Sequence, residues 1–215
     1  MPNIAFNTLV FNSDDDRKTV QQYMSRYAPQ DGIYRVKDIK SDVVVLENIA
    51  SNADGSKLYS RVEHPSHIRI DDSNGLRNEF VKFSDVDVKV GDYLWDNRVD
   101  DESNHYKVIH PDFDTPKFNF NLLIPTADEV INYIVVNDKL RQPHDDKRLW
   151  FDWNNAHWGT EWNAFNVIYH DDVIEFETAW DNVYDVIEKL SEHFPDIHFT
   201  YGVEYEDEGY DEWDF

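Results

Sequence analysis

The 215-residue sequence contains no cysteine, only two methionines and seven glycines, and 20 Lys plus Arg against 44 Asp plus Glu. The lack of cysteine excludes disulfides, thiolate metal ligands and a cysteine nucleophile. No stretch approaches the roughly 20 apolar residues that span a bilayer. No N-terminal run combines the basic start and apolar core of a signal peptide. We therefore expect a soluble, intracellular protein.

Because bases are scarce, the formal net charge at pH 7 is −24. This charge disfavours direct binding to nucleic acid or to an anionic membrane, and it predicts a positively charged partner. Seven Trp, twelve Tyr and thirteen Phe provide enough apolar area for packed domains, so the chain differs from a disordered acidic tail. A surface that is acidic only for solvation or solubility is the alternative interpretation.

The acidity is concentrated in the last third of the chain. Residues 151–215 contain eighteen Asp or Glu and one base, Lys189, for a net charge of −17, which leaves −7 for residues 1–150. An adaptation to salt would spread acids over the whole surface, so this concentration favours a binding role. The density is greatest at 204–215, where acids alternate with aromatics. We predict that this acidic-aromatic tail contacts a partner; the alternatives are a disordered solubilising tail or aromatics that dock onto their own domain.

Hydrophobic periodicity predicts a strand at 3–12, followed by a helix from Ser13 or Asp14 to about Tyr27. Short strand-like segments separated by turn residues then predict an all-β, barrel-like insertion. These segments lie at 33–39, 43–49, 57–62, 67–70 and 80–90.

The remaining pattern predicts an extended segment at 118–124, a helix opened by Thr126 and Glu129 and continuing to about Val135, and a polar loop at 137–148. In the acidic half, apolar spacing predicts four strands and one helix. The predicted strands are 149–153, 164–169, 173–179 and 197–205, and the predicted helix is 181–193.

The string Trp-Gly-Thr-Glu-Trp-Asn-Ala at 158–164 is followed by Phe-Glu-Thr-Ala-Trp at 176–180 and by the stretch 190–195. These strings resemble the ending of the YubB-type ferredoxin-like family found on phages and plasmids. Residues 118–125 and 1–9 are also similar to that family, whereas 33–110 lies outside the match. The resemblance implies a mobile-element origin and carries no catalytic signature. The acidic ending after Tyr205 replaces the glycine-rich close that is usual in the family.

Together, the pattern and the resemblance predict an α+β fold. A ferredoxin-like βαββαβ sheet, with its helices on one face, is formed by residues 1–32 and 111–215, of which 151–215 are the strongly acidic half. A small all-β, barrel-like subdomain is inserted at 33–110, and 204–215 form the tail.

No nucleophile elbow, phosphate-binding loop, dinucleotide fingerprint or zinc motif is present, so we expect neither an enzyme nor a cofactor. The histidines lack metal-ligand spacing, and we expect no metal site. His157, among aromatic residues, is more typical of a packed side chain than of a base. A hydrolase using His157 with a nearby acid is kept as a third possibility, which predicts turnover that His157→Ala abolishes.

The leading hypothesis is an anti-defence protein of a phage, located in the cytoplasm of the bacterial host cell. Its acidic half would act as a DNA mimic and inhibitor, binding the basic nucleic-acid cleft of a bacterial nuclease such as a CRISPR effector or restriction enzyme. Phe215 would add an aromatic anchor to the predicted partner-binding set. That set is Glu204, Tyr205, Glu206, Asp207, Glu208, Tyr210, Asp211, Glu212, Trp213, Asp214, Asp171, Asp172, Glu175 and Glu177.

The alternative hypothesis is a phage accessory or assembly module. It would make protein contacts through the β-rich insertion, and its acidity would serve only solubility.

Overall fold

The computed structural model describes residues 3–40, 43–51, 57–63, 67–70, 79–81, 88–96, 105–111, 117–127, 150–206 and 209–215. The chain divides into two compact units. Unit 1 consists of Met1–Arg26, Asp114–Thr126 and Pro143–Phe215, and unit 2 of Tyr27–Phe113 and Ala127–Gln142. The predicted insertion at 33–110 falls within unit 2, which begins earlier and also includes 127–142.

Twelve strands and three α-helices are present among the described residues. The strands are β1 (Ile4–Phe11), β2 (Ile33–Lys40), β3 (Val43–Ser51), β4 (Lys57–Glu63), β5 (His67–Ile70), β6 (Glu79–Val81), β7 (Tyr93–Asp96), β8 (His105–Ile109), β9 (Phe165–His170), β10 (Val173–Ala179), β11 (Phe199–Tyr205) and β12 (Tyr210–Asp214). The helices are α1 (Asp14–Met24), α2 (Trp150–Trp158) and α3 (Tyr184–His193), with short 3-10 turns at Pro29–Asp31 and Phe120–Leu122.

Unit 1 contains a five-stranded antiparallel sheet in the order β12-β11-β1-β10-β9. The connectivity β1-α1-β9-β10-α3-β11 is the ferredoxin-like βαββαβ arrangement, with β1 in the centre and β12 added at one edge. Ser13 caps the start of α1, because its hydroxyl accepts a hydrogen bond of 3.2 Å from the Asp16 amide. The predicted fold of this part of the chain is therefore confirmed.

Both α1 and α3 cover the same face of this sheet. On β1, Ala5, Asn7, Leu9 and Phe11 are buried on that face, as the two-residue alternation requires. The side of α3 that packs against the sheet carries Val186, Ile187 and Leu190, whose apolar spacing is typical of a helix with one buried face. The core of unit 1 includes Val20, Met24, Phe118, Phe120, Trp158, Ile174, Phe176, Val183, Val186, Ile187, Leu190, Phe199, Tyr201 and Val203.

The two strings that carry the family resemblance have packing roles in unit 1. The Thr160 hydroxyl donates to the Ala179 carbonyl at 2.8 Å, and the Trp158 indole donates to the Ile124 carbonyl at 2.9 Å. Gly159 has φ +82, and a Cβ there would lie 2.4 Å from the Asn182 carbonyl oxygen. These contacts bring the segment after α2 against the start of α3.

Unit 2 contains a seven-stranded sheet in the order β4-β3-β2-β7-β8-β5-β6. Its strands pair antiparallel except for β5 and β8, which are parallel. Its small core includes Val36, Val44, Leu46 and Leu94. Within the described ranges, the end strands β4 and β6 do not pair with each other. The sheet is open, and the predicted barrel is not confirmed.

Several sequence predictions are wrong in detail. Residues 149–153 were predicted as a strand, but α2 begins at Trp150, since a short aromatic run suits either structure. Residues 118–124 contain a 3-10 turn, because the Asn119 side chain accepts a hydrogen bond from the Asn121 amide. Strands β7 and β8 were missed. Strand β6 (Glu79–Val81) overlaps the start of the segment predicted at 80–90, and the described residues 88–90 of that segment are not in a strand. The helix predicted beyond Ala127 and the loop at 137–148 lie outside the described residues.

Candidate interaction surface

The sheet of unit 1 has a second face, opposite α1 and α3. We call it the open face: it carries Phe6, Thr8 and Val10 of β1 and the residues in register with them. Phe6 is 45% exposed and Val10 43%. Ile168 of β9 and Tyr210 of β12, which are also strongly exposed, lie on the same face.

Five carboxylates occupy the open face in two acidic lines, one on each side of β1. The first line is on β10, where Glu175 pairs with Thr8 and Glu177 with Phe6. The second is on β11 and β12, and its members are Glu204, Glu212 and Asp214. Since β1 contains no acid, the two lines are separated by an uncharged strand.

Neutral groups, not the protein's own Lys or Arg, hold three of these carboxylates. Asn166 donates to Glu177 at 2.9 Å, and Thr200 donates to Asp214 at 2.9 Å. The Tyr210 hydroxyl donates to Glu212 at 2.5 Å, and this hydrogen bond raises the pKa of Tyr210. Glu177, Glu212 and Asp214 therefore keep their charge available to a partner.

His170 lies beside the first line, with its Nε2 3.3 Å from Glu175. Strands β1, β9, β10, β11 and β12 contain no Lys or Arg. Among the described residues, no Lys or Arg lies within 4.0 Å of the five carboxylates. Because none of these Lys or Arg offsets the charge of the five carboxylates, the open face has a negative potential that attracts cationic surfaces.

The described residues of the tail predicted at 204–215 are folded and form the end of β11 and the whole of β12. Trp213 and Phe215 lie on the helix side of the sheet. Trp213 stacks on Tyr201 with ring centroids 5.4 Å apart, and Phe215 stacks on Phe199 at 5.4 Å. Trp213 and Phe215 are thus packed against the core of their own unit, as the alternative interpretation proposed.

Tyr205 and Asp211 also lie on the helix side of the sheet, through their register with the buried rows. The Tyr205 hydroxyl accepts a hydrogen bond of 2.8 Å from Asn182. Burial is the main cause that raises the pKa of Tyr205. Of the predicted aromatic anchors, only Tyr210 lies on the open face.

Three of the remaining predicted residues, Glu206, Asp171 and Asp172, are at the ends of the sheet. Glu206 follows β11 and accepts a hydrogen bond of 3.2 Å from the Ile4 amide. Asp171 and Asp172 form the turn between β9 and β10, at the opposite end of β1. Asp207 and Glu208 lie outside the described residues. The structure thus brings together five of the predicted acids, with Tyr210, on one face.

A shallow depression beside the β9–β10 turn is lined by Ser13, Asp14, Arg17, Asp171 and Asp172. Arg17 donates to the Asp171 carbonyl at 2.9 Å and pairs with Asp14 at 2.5 Å. Hydrogen bonding from Lys18 is the main cause that lowers the pKa of Asp14. At this end of the sheet Asp14 is therefore paired with the protein's own bases, Arg17 and Lys18.

His157, near the end of α2, packs against a tryptophan of the same helix. Its ring stacks on Trp153 with centroids 4.1 Å apart, and its Nδ1 lies 2.7 Å from the Trp153 carbonyl oxygen. In the described ranges, no group of three or more His, Asp or Glu is placed to hold a metal ion. None of the helices described is both long and apolar enough to cross a membrane.

Sequence reasoning missed the contribution of Phe6 and Val10. The periodicity predicted a strand here, but it did not indicate that the side of β1 carrying Phe6 and Val10 has no covering layer. The signal was the composition of the other strands: on β10 and β11 the residues that face outward include Glu175, Glu177 and Glu204, which indicates a face without a covering layer.

Residues 157–212 match a family model. Its description is a ferredoxin-like domain in Api92-like protein. The match begins near the end of α2 and ends in β12, so it covers the last three strands in the βαββαβ order, together with α3. The match supports a ferredoxin-like domain. It does not support the YubB-type family or the phage and plasmid origin that the resemblance implies. The searches of curated proteins and of solved structures gave no match.

Proposed function

We propose that the chain is an acidic DNA mimic that binds the basic nucleic-acid cleft of a bacterial nuclease, as an anti-defence protein of a phage or related mobile element. The observation that supports this most directly is the open face. Two acidic lines lie there on a rigid sheet, and no Lys or Arg of the described residues offsets them.

The amount of charge suits such a role. Residues 151–215 carry −17, which corresponds to the charge on roughly 30 Å of duplex axis. Carboxylates on a folded sheet are held in position, so pairing with Lys and Arg costs less side-chain ordering than pairing with a disordered acidic tail. Tyr210, which is 60% exposed beside Glu212, adds an aromatic contact at the rim.

The mobile-element part of the proposal has a separate basis. It rests on the similarity of residues 158–164 and 176–180 to sequences found on phages and plasmids. A fold assignment gives no activity by itself. The nuclease target is proposed from charge alone, because Lys and Arg clefts that hold phosphates are the surfaces that two acidic lines complement.

The test measures binding to, and inhibition of, a purified restriction endonuclease and a purified CRISPR effector complex. We expect the protein to compete with duplex DNA, so that added DNA restores cleavage. Raising the salt concentration from about 0.1 M to about 1 M, which shortens the Debye length from about 10 Å to about 3 Å, should weaken binding strongly.

Two variants that each remove five negative charges separate the open face from total charge. The face variant is Glu175→Gln, Glu177→Gln, Glu204→Gln, Glu212→Gln and Asp214→Asn. The control variant is Asp15→Asn, Asp185→Asn, Glu188→Gln, Glu192→Gln and Asp196→Asn, all at exposed positions outside the open face.

The face variant should lose about tenfold or more in affinity, and the control variant should lose much less. Equal losses in the two variants, or binding that is indifferent to salt, would contradict the proposal. That result would favour the accessory-module hypothesis, in which unit 2 makes the contacts and acidity serves solubility.

A further inference from the structure

The open face contains an apolar stripe that charge alone does not explain. Phe6 and Val10 are 45% and 43% exposed on β1, the middle strand of the sheet, with Thr8 between them. Because β1 is the middle strand, an element that lies on this face of the sheet would cover its exposed apolar side chains. This stripe therefore indicates that a partner element lies over β1 and along it.

The two acidic lines define the width of that element. Strands lie about 4.8 Å apart, so β10 and β12 are about 14 Å apart across β11 and β1. An α-helix with its side chains is about 10–12 Å across. Strands β10 and β11 are each about 4.8 Å from β1, and β12 is about 9.6 Å from it. A helix that touches Phe6 and Val10 with its underside would therefore have Glu175 and Glu177 on one flank, and Glu204 with the β12 carboxylates on the other.

The length also fits. From Phe6 to Val10 the strand extends about 13 Å, which equals about nine residues of α-helix. A helix of this length presents apolar residues at i, i+3/i+4 and i+7 along one stripe, and Lys or Arg on both flanks reach sideways with their long stems. Glu175 and Glu177 would be met on one side, and Glu204, Glu212 and Asp214 on the other.

Other occupants fit less well. A second copy of the chain would place five carboxylates against five, and like charges at a contact are strongly unfavourable. A strand added to the free edge of β12 would use the outward backbone groups of Tyr210, Glu212 and Asp214, but it would leave Phe6 and Val10 uncovered. An apolar helix without bases would desolvate the carboxylates without pairing them.

We infer that the open face binds a basic amphipathic α-helix of the target protein, lying along β1 between the two acidic lines. This inference rests on the proposed function, which it makes more specific. DNA-recognition helices occupy a major groove about 12 Å wide with phosphates on both sides. The open face offers a similar pair of negative borders, with an apolar floor in place of base edges.

The test uses the full chain and a synthetic peptide of about 18 residues, or five helical turns. The peptide has leucines along one stripe and Lys or Arg on both flanks. A control peptide has the same composition and charge in an order that gives no amphipathic helix. We expect the helical peptide to bind about tenfold more tightly than the control peptide. Equal affinities for the two peptides would overturn the inference.

A second comparison uses the Phe6→Ala, Val10→Ala double variant and, as control, Ile168→Ala. Ile168 is 53% exposed on the same face but lies on the edge strand β9. The double variant should bind the helical peptide about tenfold more weakly, and Ile168→Ala should not. A thermal unfolding curve for each variant checks that the fold is intact.

The outcomes separate the two proposals. Suppose that the double variant inhibits a nuclease as well as the wild type, while the five-charge face variant does not. The helix inference is then overturned and the proposed function is retained. If the wild type inhibits no nuclease but binds the helical peptide selectively, the proposed function fails and the helix-binding face stands.

Discussion

The Tyr201 hydroxyl donates a hydrogen bond of 2.7 Å to the Asn7 side-chain oxygen and so joins β11 to β1 in the buried centre of unit 1. The same hydroxyl accepts a hydrogen bond of 3.1 Å from the Val183 amide, where α3 begins. The Asn7 side-chain nitrogen, Nδ2, donates to the Ala5 carbonyl and to the Thr178 hydroxyl. One hydroxyl thus satisfies polar groups of both the central strand and the start of a helix.

Tyr201→Phe should lower the free energy of unfolding by about 1–3 kcal/mol, because it leaves the Asn7 oxygen and the Val183 amide buried without this partner. Urea unfolding followed by circular dichroism measures the loss. The matched control is Tyr205→Phe, since the Tyr205 hydroxyl accepts a comparable hydrogen bond of 2.8 Å at a half-buried site where water can replace it. A loss from Tyr205→Phe as large as that from Tyr201→Phe would contradict this account.

The protein should lose stability at alkaline pH. Burial raises the pKa of Tyr169 from 10.0 to about 12 and also raises that of Tyr201. The folded state therefore holds these protons more tightly than the unfolded state, in which tyrosine titrates near pH 10. This contribution is complete below about pH 10 and is lost as the pH rises from there toward about 12.

The measurement is the free energy of unfolding in urea at several values between about pH 8 and pH 11. We expect little change from these tyrosines at the lower end and a decline above about pH 10. Tyr169→Phe should make the decline shallower, because one titrating group is removed. A decline of the same slope in wild type and variant would show that Tyr169 does not contribute.

The alternation of β1 and the spacing of α3 were sufficient to predict that these segments form a strand and a helix. Local pattern does not say whether a second layer covers the other face of a strand. For this reason Phe6 and Val10 were not recognised as part of a surface. The acids of the open face were predicted individually, but their division into two lines depends on the strand order, which is set by contacts distant in sequence.

Two features of unit 1 that local pattern did not predict have different physical causes. The aromatic run that begins at Trp150 was interpreted as a strand, yet Trp153 and His157 stack four residues apart, as neighbours on a helix do. The segment 210–214 is rich in acids that disfavour strands, but Trp213 packs on Tyr201 and holds it as β12. In the first place a local contact favours the helix, and in the second tertiary packing overrides the local preference.

Two glycines of unit 1 should respond very differently to alanine. At Gly159 the backbone has φ +82, and a Cβ would lie 2.4 Å from the Asn182 carbonyl oxygen. Gly159→Ala should therefore cost about 2 kcal/mol or more in thermal or urea unfolding.

At Gly202 a Cβ would meet the Tyr210 hydroxyl at 2.4 Å, but that side chain is 60% exposed and can rotate away. Gly202→Ala should cost less than about 1 kcal/mol. It should, however, displace Tyr210 from Glu212, which weakens binding at the open face. If Gly202→Ala is as destabilising as Gly159→Ala, then Tyr210 is held more firmly than its exposure suggests.

Trp213 and Tyr210 lie on opposite faces of β12, and their replacement should separate stability from binding. Trp213 has ring contacts with Tyr201 at 5.4 Å and with Tyr184 at 5.3 Å. Trp213→Ala should lower the free energy of unfolding by about 2–4 kcal/mol, since it removes the packing that attaches β12 to the core. Differential scanning calorimetry measures the change.

Tyr210→Ala is the matched control on the same strand. Because Tyr210 is 60% exposed, its loss should change the free energy of unfolding by less than about 1 kcal/mol. Affinity for the helical peptide should fall in this variant, whereas Trp213→Ala should affect affinity only to the extent that β12 detaches. A stable Trp213→Ala protein that has lost binding would instead restore Trp213 as a partner-binding residue, as the sequence predicted.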